Sequence, residues 1–274
     1  MGIKIPRSKN MKRIISGIAI ALAALALSAQ TKIKVGATPQ PHAEILALIK
    51  DDLAAKGVEL EIVEFTDYVT PNEAVEAGDI DANYFQHLPY LNSFNKEKRT
   101  HLVNAGGIHV EPFALYSTTN KKKAIKSVAD IKKGAKIAIP NDPTNEGRAL
   151  LLLQAAGLIT LKDPSNITAT PLDIKKNPKK IKFVEVEAAS LPRTLPDVDA
   201  AVINGNYAIP AGLVATRDGI FVEGSSSPYV NVVAVKAGNE NNAAVKALVD
   251  ALKSDKVRKY VKETYKNGEV VTVF

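Results

Sequence analysis

The polar residues with the clearest chemical potential stand at the start of a predicted helix. In residues 139–157, IPNDPTNEGRALLLLQAAG, a polar stretch ends directly before four consecutive leucines. The preceding KIAIP is typical of a strand, Asp142 or Thr144 is suited to cap a helix, and Pro143 is tolerated at a helix start because it has no N–H. The leucines form the buried part of the helix, which Gly157 ends. This stretch therefore predicts a strand that runs into a helix N-terminus.

Arg148 is out of place in this helix. A cation in the first turns opposes the positive end of the helix dipole, and a local rule broken beside a well-formed element indicates a functional site. The free N–H groups of the helix start and the guanidinium would together bind an anion such as a carboxylate. The alternative interpretation is a solvated arginine that pairs with Glu146 or Asp142.

Aromatic residues form a second concentration. Six of the fifteen aromatic residues lie within 30 positions and surround His87, namely Phe65, Tyr68, Tyr84, Phe85, Tyr90 and Phe94. Side chains alternate along a strand, so one of Tyr84 and Phe85 faces the core and the other faces elsewhere. His87 and Tyr90 follow in a loop or an opening helix turn. Aromatic side chains at strand ends would suit an apolar or thioether group, although all of them could be core, which we favour for Phe65 and Phe94.

Two asparagines stand at strand ends. Asn204 ends AVIN, and Asn231 begins the strand NVVAV. An amide at such a position donates to a carboxylate or accepts from an ammonium group. The alternative is that each is only a turn residue.

No catalytic constellation is present in the sequence. The four histidines, His42, His87, His101 and His109, have no metal-ligand spacing, and the chain has no cysteine, no G-x-S-x-G and no glycine-rich phosphate loop. We therefore predict no catalytic residue, no metal and no cofactor.

The N-terminus predicts a secretory signal over residues 1–29. Lys12 and Arg13 precede an apolar run at residues 14–27, which Ser28 and Ala29 close. The run is shorter than the roughly 20 residues of a spanning helix; a buried helix is the alternative. Residues 1–10 are an upstream extension if Met11 is the start.

The basic charge is no argument for nucleic acid. The formal charge of the 274 residues falls from +7 to +2 without the five cations that precede residue 30, Lys4, Arg7, Lys9, Lys12 and Arg13. Without cysteine, an exported protein cannot use disulfides, so its stability must come from its core.

Short apolar runs alternate with amphipathic segments. Strands are predicted at residues 32–37, 59–65, 80–85, 136–140, 181–187, 199–204 and 230–236, and helices at residues 42–55, 144–156 and 241–266, the last broken near Ser254. Strand, helix, strand in succession predicts an α/β fold with mostly parallel sheets covered on both faces. Boundaries near residues 115–127 and 224–229 divide it into one lobe of residues 30–115 plus 229–274 and another of residues 116–228, with a single domain as the alternative.

Several motifs together resemble one known family. KIKVGATP, FTDYVTPNEA, GDIDANYFQHLPYL, IAIPNDPTNEGRALLLLQAAGLI, AVINGNYA and SPYVN occur in order from about residue 32 to the C-terminus. They are similar to the methionine-binding lipoprotein family (MetQ/NlpA) of ABC importers. The resemblance implies a two-lobed periplasmic-binding-protein fold with a ligand cleft between the lobes.

The resemblance also implies a function and a site. A monomer without enzymatic activity would capture L-methionine or D-methionine and deliver it to a permease and its ATPase. Tyr68, Phe85, His87 and Tyr90 would enclose the ligand side chain, Arg148 would hold its carboxylate, and Asn204 and Asn231 would fix its backbone groups. A methionine-containing dipeptide or another amino acid is the alternative ligand. An exported enzyme using His87 as acid or base, and a surface adhesin, are the alternative classes.

The sequence departs from the family at one position. LSAQ, residues 27–30, has the form of a lipoprotein processing site with Gln30 where the family carries a lipid-bearing cysteine. The protein is expected in the periplasm or at the outer face of the cytoplasmic membrane, and Gln30 argues against a lipid anchor.

Overall fold

The computed structural model describes residues 30–224 and 227–274. The predicted signal segment, residues 1–29, lies outside the described residues. Within them, no helix combines the length and the apolar composition needed to cross a membrane.

Strands and helices alternate along most of the chain. The strands are β1 (Thr31–Ala37), β2 (Val58–Glu64), β3 (Ala82–His87), β4 (Leu102–Val110), β5 (Ala114–Ser117), β6 (Lys136–Pro140), β7 (Thr160–Leu161), β8 (Ile174–Lys176), β9 (Lys182–Val186), β10 (Ala200–Ile203), β11 (Gly219–Val222), β12 (Asn231–Lys236) and β13 (Val271–Thr272). The α-helices are α1 (Glu44–Leu48), α2 (Lys50–Ala54), α3 (Thr70–Ala77), α4 (Leu88–Lys98), α5 (Pro143–Ala155), α6 (Leu191–Thr194), α7 (Gly205–Ala208), α8 (Ala215–Asp218), α9 (Ala243–Leu252) and α10 (Asp255–Thr264).

Local sequence explains where the longer helices begin and end. In α5 the Asp142 carboxylate accepts a hydrogen bond from the Asn145 N–H at 3.0 Å, and Pro143 occupies the first turn. Gly157 follows with a positive φ of 72°, as expected of a helix stop. The predicted helix at residues 42–55 is interrupted at Ile49, whose φ and ψ are −96° and 2°, and the predicted break near Ser254 separates α9 from α10.

Two large sheets carry the fold. The first has the order β13-β4-β12-β3-β1-β2, and the second has the order β11-β5-β10-β6-β9. In the first, β1 is parallel to β2 and β3, but β12 is antiparallel to β3 and β4, and β13 is antiparallel to β4. In the second, β6 is parallel to β9 and β10, but β5 is antiparallel to β10 and β11. The prediction of mostly parallel sheets is therefore wrong, because strands β5 and β12, which follow the crossings between the sheets, run against their neighbours.

The chain crosses between the sheets twice. It leaves β4 at Val110 and enters β5 at Ala114, and it returns between Val222 and Asn231. The predicted boundary after residue 115 falls inside β5, which pairs with β10 and β11 of the second sheet. The polar segment at residues 120–126 is a loop of the second sheet's own lobe. We therefore propose that the lobes divide at residues 111–113 and 223–230.

Each lobe has its own core. In the first, α1, α2, α9 and α10 cover one face of the sheet, with Ile33, Val35 and Leu248 fully or almost fully buried. In the second, the leucines of α5 pack on Ile137 and Ile139 of β6. These cores hold the strand ends that face the cleft between the lobes.

Candidate functional site

A cavity lies between the lobes. Both lobes and the first crossing contribute to its wall, and all seven residues predicted as ligand contacts are among those that line it. The lining residues are Tyr68, Phe85, Gln86, His87, Tyr90, Glu111, Asn145, Arg148, Asn204, Gly205, Asn206 and Asn231.

Aromatic rings form one side of the cavity. The Tyr68 ring lies 5.8 Å from both the Phe85 and the Tyr90 ring centroids. Phe94 packs behind Tyr90 and Phe85 without lining the cavity, as predicted. Strand β3 alternates as expected, since Tyr84 is fully buried in the core of the first lobe while Phe85 faces the cavity.

His87 joins the two lobes. It caps α4, with Nδ1 accepting the Tyr90 N–H at 3.1 Å. Burial, followed by the charge of Arg148, lowers the pKa of His87 to about 3, so the ring is neutral at pH 7 and its single proton is on Nε2. Nε2 donates to Asn145 Oδ1, 3.2 Å away across the cleft.

Arg148 is buried rather than solvated. Its Nε and Nη2 donate to the two Glu223 carboxylate oxygens at 2.9 and 2.5 Å, and Nη2 also donates to the Glu111 carbonyl at 2.9 Å. The guanidinium lies over the Tyr229 and Phe113 rings, 4.2 and 4.7 Å from their centroids. The alternative of a solvated arginine paired with Glu146 or Asp142 is wrong, because the carboxylate that Arg148 meets belongs to the second crossing, 75 residues away. The third guanidinium nitrogen, Nη1, forms none of these hydrogen bonds with the described residues.

Two asparagines of the second lobe, Asn204 and Asn206, present unsatisfied atoms. Asn204 Nδ2 donates to Asn145 Oδ1 at 2.8 Å, and the Tyr68 hydroxyl donates to Asn206 Oδ1 at 2.6 Å. Asn204 Oδ1 and Asn206 Nδ2 are buried and have no partner in residues 30–224 and 227–274. Buried polar atoms without partners are costly. The cavity therefore offers one acceptor and one donor to a ligand.

Glu111 brings a carboxylate from the crossing to the cavity. Oε1 accepts from His109 Nε2 at 2.9 Å and lies 3.4 Å from His42 Nε2. Burial raises the pKa of this carboxyl, a shift that His42 and Arg148 oppose. A Cβ at Gly205 would lie 2.6 Å from Glu111 Oε2, so glycine allows α7 to approach this carboxylate.

The same carboxylate belongs to the cluster that could hold a metal in the described part of the chain. Ligand atoms of His42, His109 and Glu111 lie within 4.8 Å of one another. Glu111 Oε1 lies 2.9 Å from His109 Nε2 and 3.4 Å from His42 Nε2. These contacts between the three side chains explain why they cluster without a cation.

Sequence reasoning missed five of the lining residues, Gln86, Glu111, Asn145, Gly205 and Asn206. Asn145 lies one turn before Arg148 on the same helix, so helical spacing could have indicated it. Asn206 lies two residues after Asn204, a spacing that does not place two side chains on one helix face. Glu111 had no local signal, because the crossing alone places it here.

Glu146, next to this site on α5, makes stability depend on pH. Its Oε1 is buried without a partner among the described residues. Burial, followed by the charges of Glu185, Asp142 and Asp173, raises the pKa of its carboxyl from 4.5 to about 7. Because the folded pKa exceeds the unfolded one, this group's contribution to stability is present below pH 4.5 and is lost as pH rises through about 7.

We expect Glu146→Gln to raise the Tm at pH 8 by roughly 2–4 °C, since glutamine stays neutral, and to change it less at pH 5. Thermal melts at both pH values measure this, with the exposed Glu187→Gln as the control. An equal difference at pH 5 and pH 8 would contradict the assignment.

Two lobes that enclose a polar cavity are the architecture of the binding proteins that close around small solutes. The chain belongs to the NlpA lipoprotein family, whose model matches residues 33–274. It is 48% identical over 269 residues to membrane lipoprotein TpN32 of Treponema pallidum, covering 96% of this chain and 98% of the relative. It is 45% identical over 243 residues to the D-methionine-binding lipoprotein MetQ of Escherichia coli K12, covering 87% of each.

A solved structure agrees with this family. The nutrient binding protein of Burkholderia cenocepacia bound to methionine is 46% identical, with a TM-score of 0.83 over 88% of this chain and 100% of that chain. The predicted family resemblance and the two-lobed α/β fold are confirmed.

Proposed function

We propose that this protein captures methionine outside the cytoplasmic membrane and delivers it to the permease of an ABC importer, which an ATPase drives. The observation that carries the proposal is a pair of buried atoms without a partner in the described part of the chain, Asn204 Oδ1 and Asn206 Nδ2, in a cavity that Arg148 and aromatic rings also line. An amino acid supplies a donor, an acceptor and a side chain in one molecule. Relatives named for methionine binding support the choice of side chain.

The binding mode follows from the charges. The ligand carboxylate takes Arg148 Nη1 with Asn206 Nδ2 and the Asn231 amide, and the ammonium group donates to Asn204 Oδ1. The thioether lies against Tyr68, Phe85 and Tyr90, with His87 at their border. Burial of that side chain contributes about 2 kcal/mol, and each charge-assisted hydrogen bond contributes about 1.5–3 kcal/mol.

Binding works by closure of the lobes. Tyr68 and His87 of the first lobe bond to Asn206 and Asn145 of the second, at 2.6 and 3.2 Å. A ligand that contacts both sides favours the closed form because it binds that form more tightly.

Tyr68→Phe tests this closure. It removes the hydroxyl that bonds to Asn206 and should weaken methionine binding about threefold to tenfold. Tyr265→Phe is the matched control, since it removes a hydroxyl that bonds to Glu44 Oε2 within the first lobe, at 2.6 Å, outside the cavity lining. Calorimetry measures both; equal losses would show that the Tyr68 bond has no special part in binding.

Native mass spectrometry followed by calorimetry with L-methionine tests the function itself. A released mass equal to methionine, or tight binding after it is stripped, supports the proposal. If the protein does not bind L-methionine but binds D-methionine or a methionyl dipeptide, it is still a solute-binding protein, and only the proposed ligand changes. Turnover of any of these ligands would favour the enzyme alternative instead.

The remaining assignments concern location and assembly. The signal over residues 1–29 exports the chain, Gln30 leaves the product without a lipid anchor, and the mature protein acts as a monomer that meets its permease transiently. It performs no catalysis.

A further inference from the structure

Behind the cavity lies a buried hydrogen-bonded group that reaches the cavity through one of its three members. Thr38 Oγ1 is 2.7 Å from His42 Nδ1, and His42 Nε2 is 3.1 Å from Asn231 Oδ1. Thr38 and His42 are fully buried. Of these three residues, only Asn231 reaches the cavity.

The proton positions in this group are determined by its neighbours. Burial lowers the pKa of His42 to about 4, so the ring is neutral at pH 7 and has one N–H. If that proton were on Nδ1, the bare Nε2 lone pair would face Glu111 Oε1 at 3.4 Å. Two acceptors facing one another repel, so the carboxylate favours the proton on Nε2. Thr38 then donates its hydroxyl proton to Nδ1, and both ring nitrogens of His42 have a partner.

A parallel arrangement holds the carboxylate. The Tyr84 hydroxyl lies 2.5 Å from His109 Nδ1, and His109 Nε2 lies 2.9 Å from Glu111 Oε1. Burial lowers the pKa of His109 to about 3. His109 therefore donates from Nε2 to the carboxylate and accepts from Tyr84, which holds Glu111 beside His42.

We infer that His42 is a positioning residue that fixes the orientation of the Asn231 amide. His42 Nε2–H donates to Asn231 Oδ1. The Asn231 NH2 group therefore points toward the ligand and donates to an acceptor such as a carboxylate. Asn231 thus favours a hydrogen-bond acceptor, such as a carboxylate oxygen, over a donor at this position. The inference rests on the proposed binding of an amino acid by this cavity.

The tautomer of His42 is measurable without any ligand. With only four histidines in the chain, long-range ¹H–¹⁵N spectra of the full protein, assigned with His42→Gln and His109→Gln, distinguish Nδ1–H from Nε2–H rings. We expect Nε2–H for both His42 and His109. An Nδ1–H tautomer at His42 would overturn the inference.

A double-mutant cycle tests the action through Asn231. His42→Phe should weaken methionine binding about tenfold in the parent protein but less than about threefold in an Asn231→Ala background. His42→Gln, whose amide N–H reaches the Nε2 position, should restore most of the loss. Equal losses in both backgrounds would make His42 merely structural and overturn the inference.

Two further variants serve as a control and as a replacement in this cycle. Tyr84→Phe removes a buried hydroxyl from the other histidine and should change the affinity less than about threefold, since one neutral hydrogen bond away from Asn231 is lost. If His42→Phe does not fold, Thr38→Val replaces it in the cycle, because it removes the hydroxyl that bonds to Nδ1. A parent protein that binds no methionine would refute the proposed function, while the tautomer would still decide the present inference.

Discussion

Replacing Arg148 by alanine is expected to weaken methionine binding tenfold to about a hundredfold. The guanidinium is the buried cation that lines the cavity, and a charge-assisted hydrogen bond to a ligand carboxylate is worth about 1.5–3 kcal/mol. The change also leaves Glu223 without its fork-shaped partner and the Glu111 carbonyl without its donor. The side-chain carboxylates of Glu223 and Glu111 then remain near the place where the ligand carboxylate would lie, without the Arg148 charge between them.

Calorimetry of two variants and a control measures this effect. Arg148→Lys keeps one charge but cannot span both oxygens of Glu223 and also reach the ligand, so its affinity should lie between those of the parent and the alanine variant. Arg217→Ala is the control, since Arg217 is exposed and pairs with Asp218 away from the cavity. A folded Arg148→Ala protein with unchanged affinity would remove Arg148 from the site.

Replacing Gly147 by alanine is expected to lower the Tm by about 5–10 °C. A Cβ at this position would lie 2.2 Å from the Ile167 carbonyl oxygen and 2.9 Å from the Thr168 nitrogen. These are backbone atoms, so α5 or the facing loop must shift, and overpacking of this kind costs about 1–3 kcal/mol. Because Asn145 and Arg148 lie on the same helix, methionine affinity should fall as well.

Ala155→Ser is the matched control for Gly147→Ala. It adds one heavy atom to the same helix on an exposed position, so thermal melting should be almost unchanged. If Gly147→Ala has the same Tm as the parent protein, the loop at Ile167 moves away without a loss of stability, and the prediction is wrong.

The strands with strong apolar patterns were predictable from local sequence. All seven predicted strands overlap β1, β2, β3, β6, β9, β10 and β12, because each is a short apolar run bounded by polar or turn residues. Strands β4, β5, β7, β8, β11 and β13 were missed. Strand β4 contains Gly106 and Gly107, which weaken a strand pattern, and β5 and β11 have only four residues each.

Several members of the candidate site were predictable because local rules marked them. Arg148 contradicts the helix dipole, and Phe85 and His87 end a strand. Their partners were not predictable, since Glu223, Asn206 and His42 meet Arg148, Tyr68 and Asn231 across 75, 138 and 189 positions of sequence.

Local periodicity, caps and apolar runs were enough to predict the α/β class and the start of α5, and the family resemblance added which residues would hold an amino acid. Only the packing of the two lobes decided which strands run antiparallel, which carboxylate meets Arg148 and which amide atoms remain without partners. The physical reason is range: helix and strand formation depend on neighbours within a few residues, whereas a buried hydrogen bond depends on groups that only the closed fold brings together.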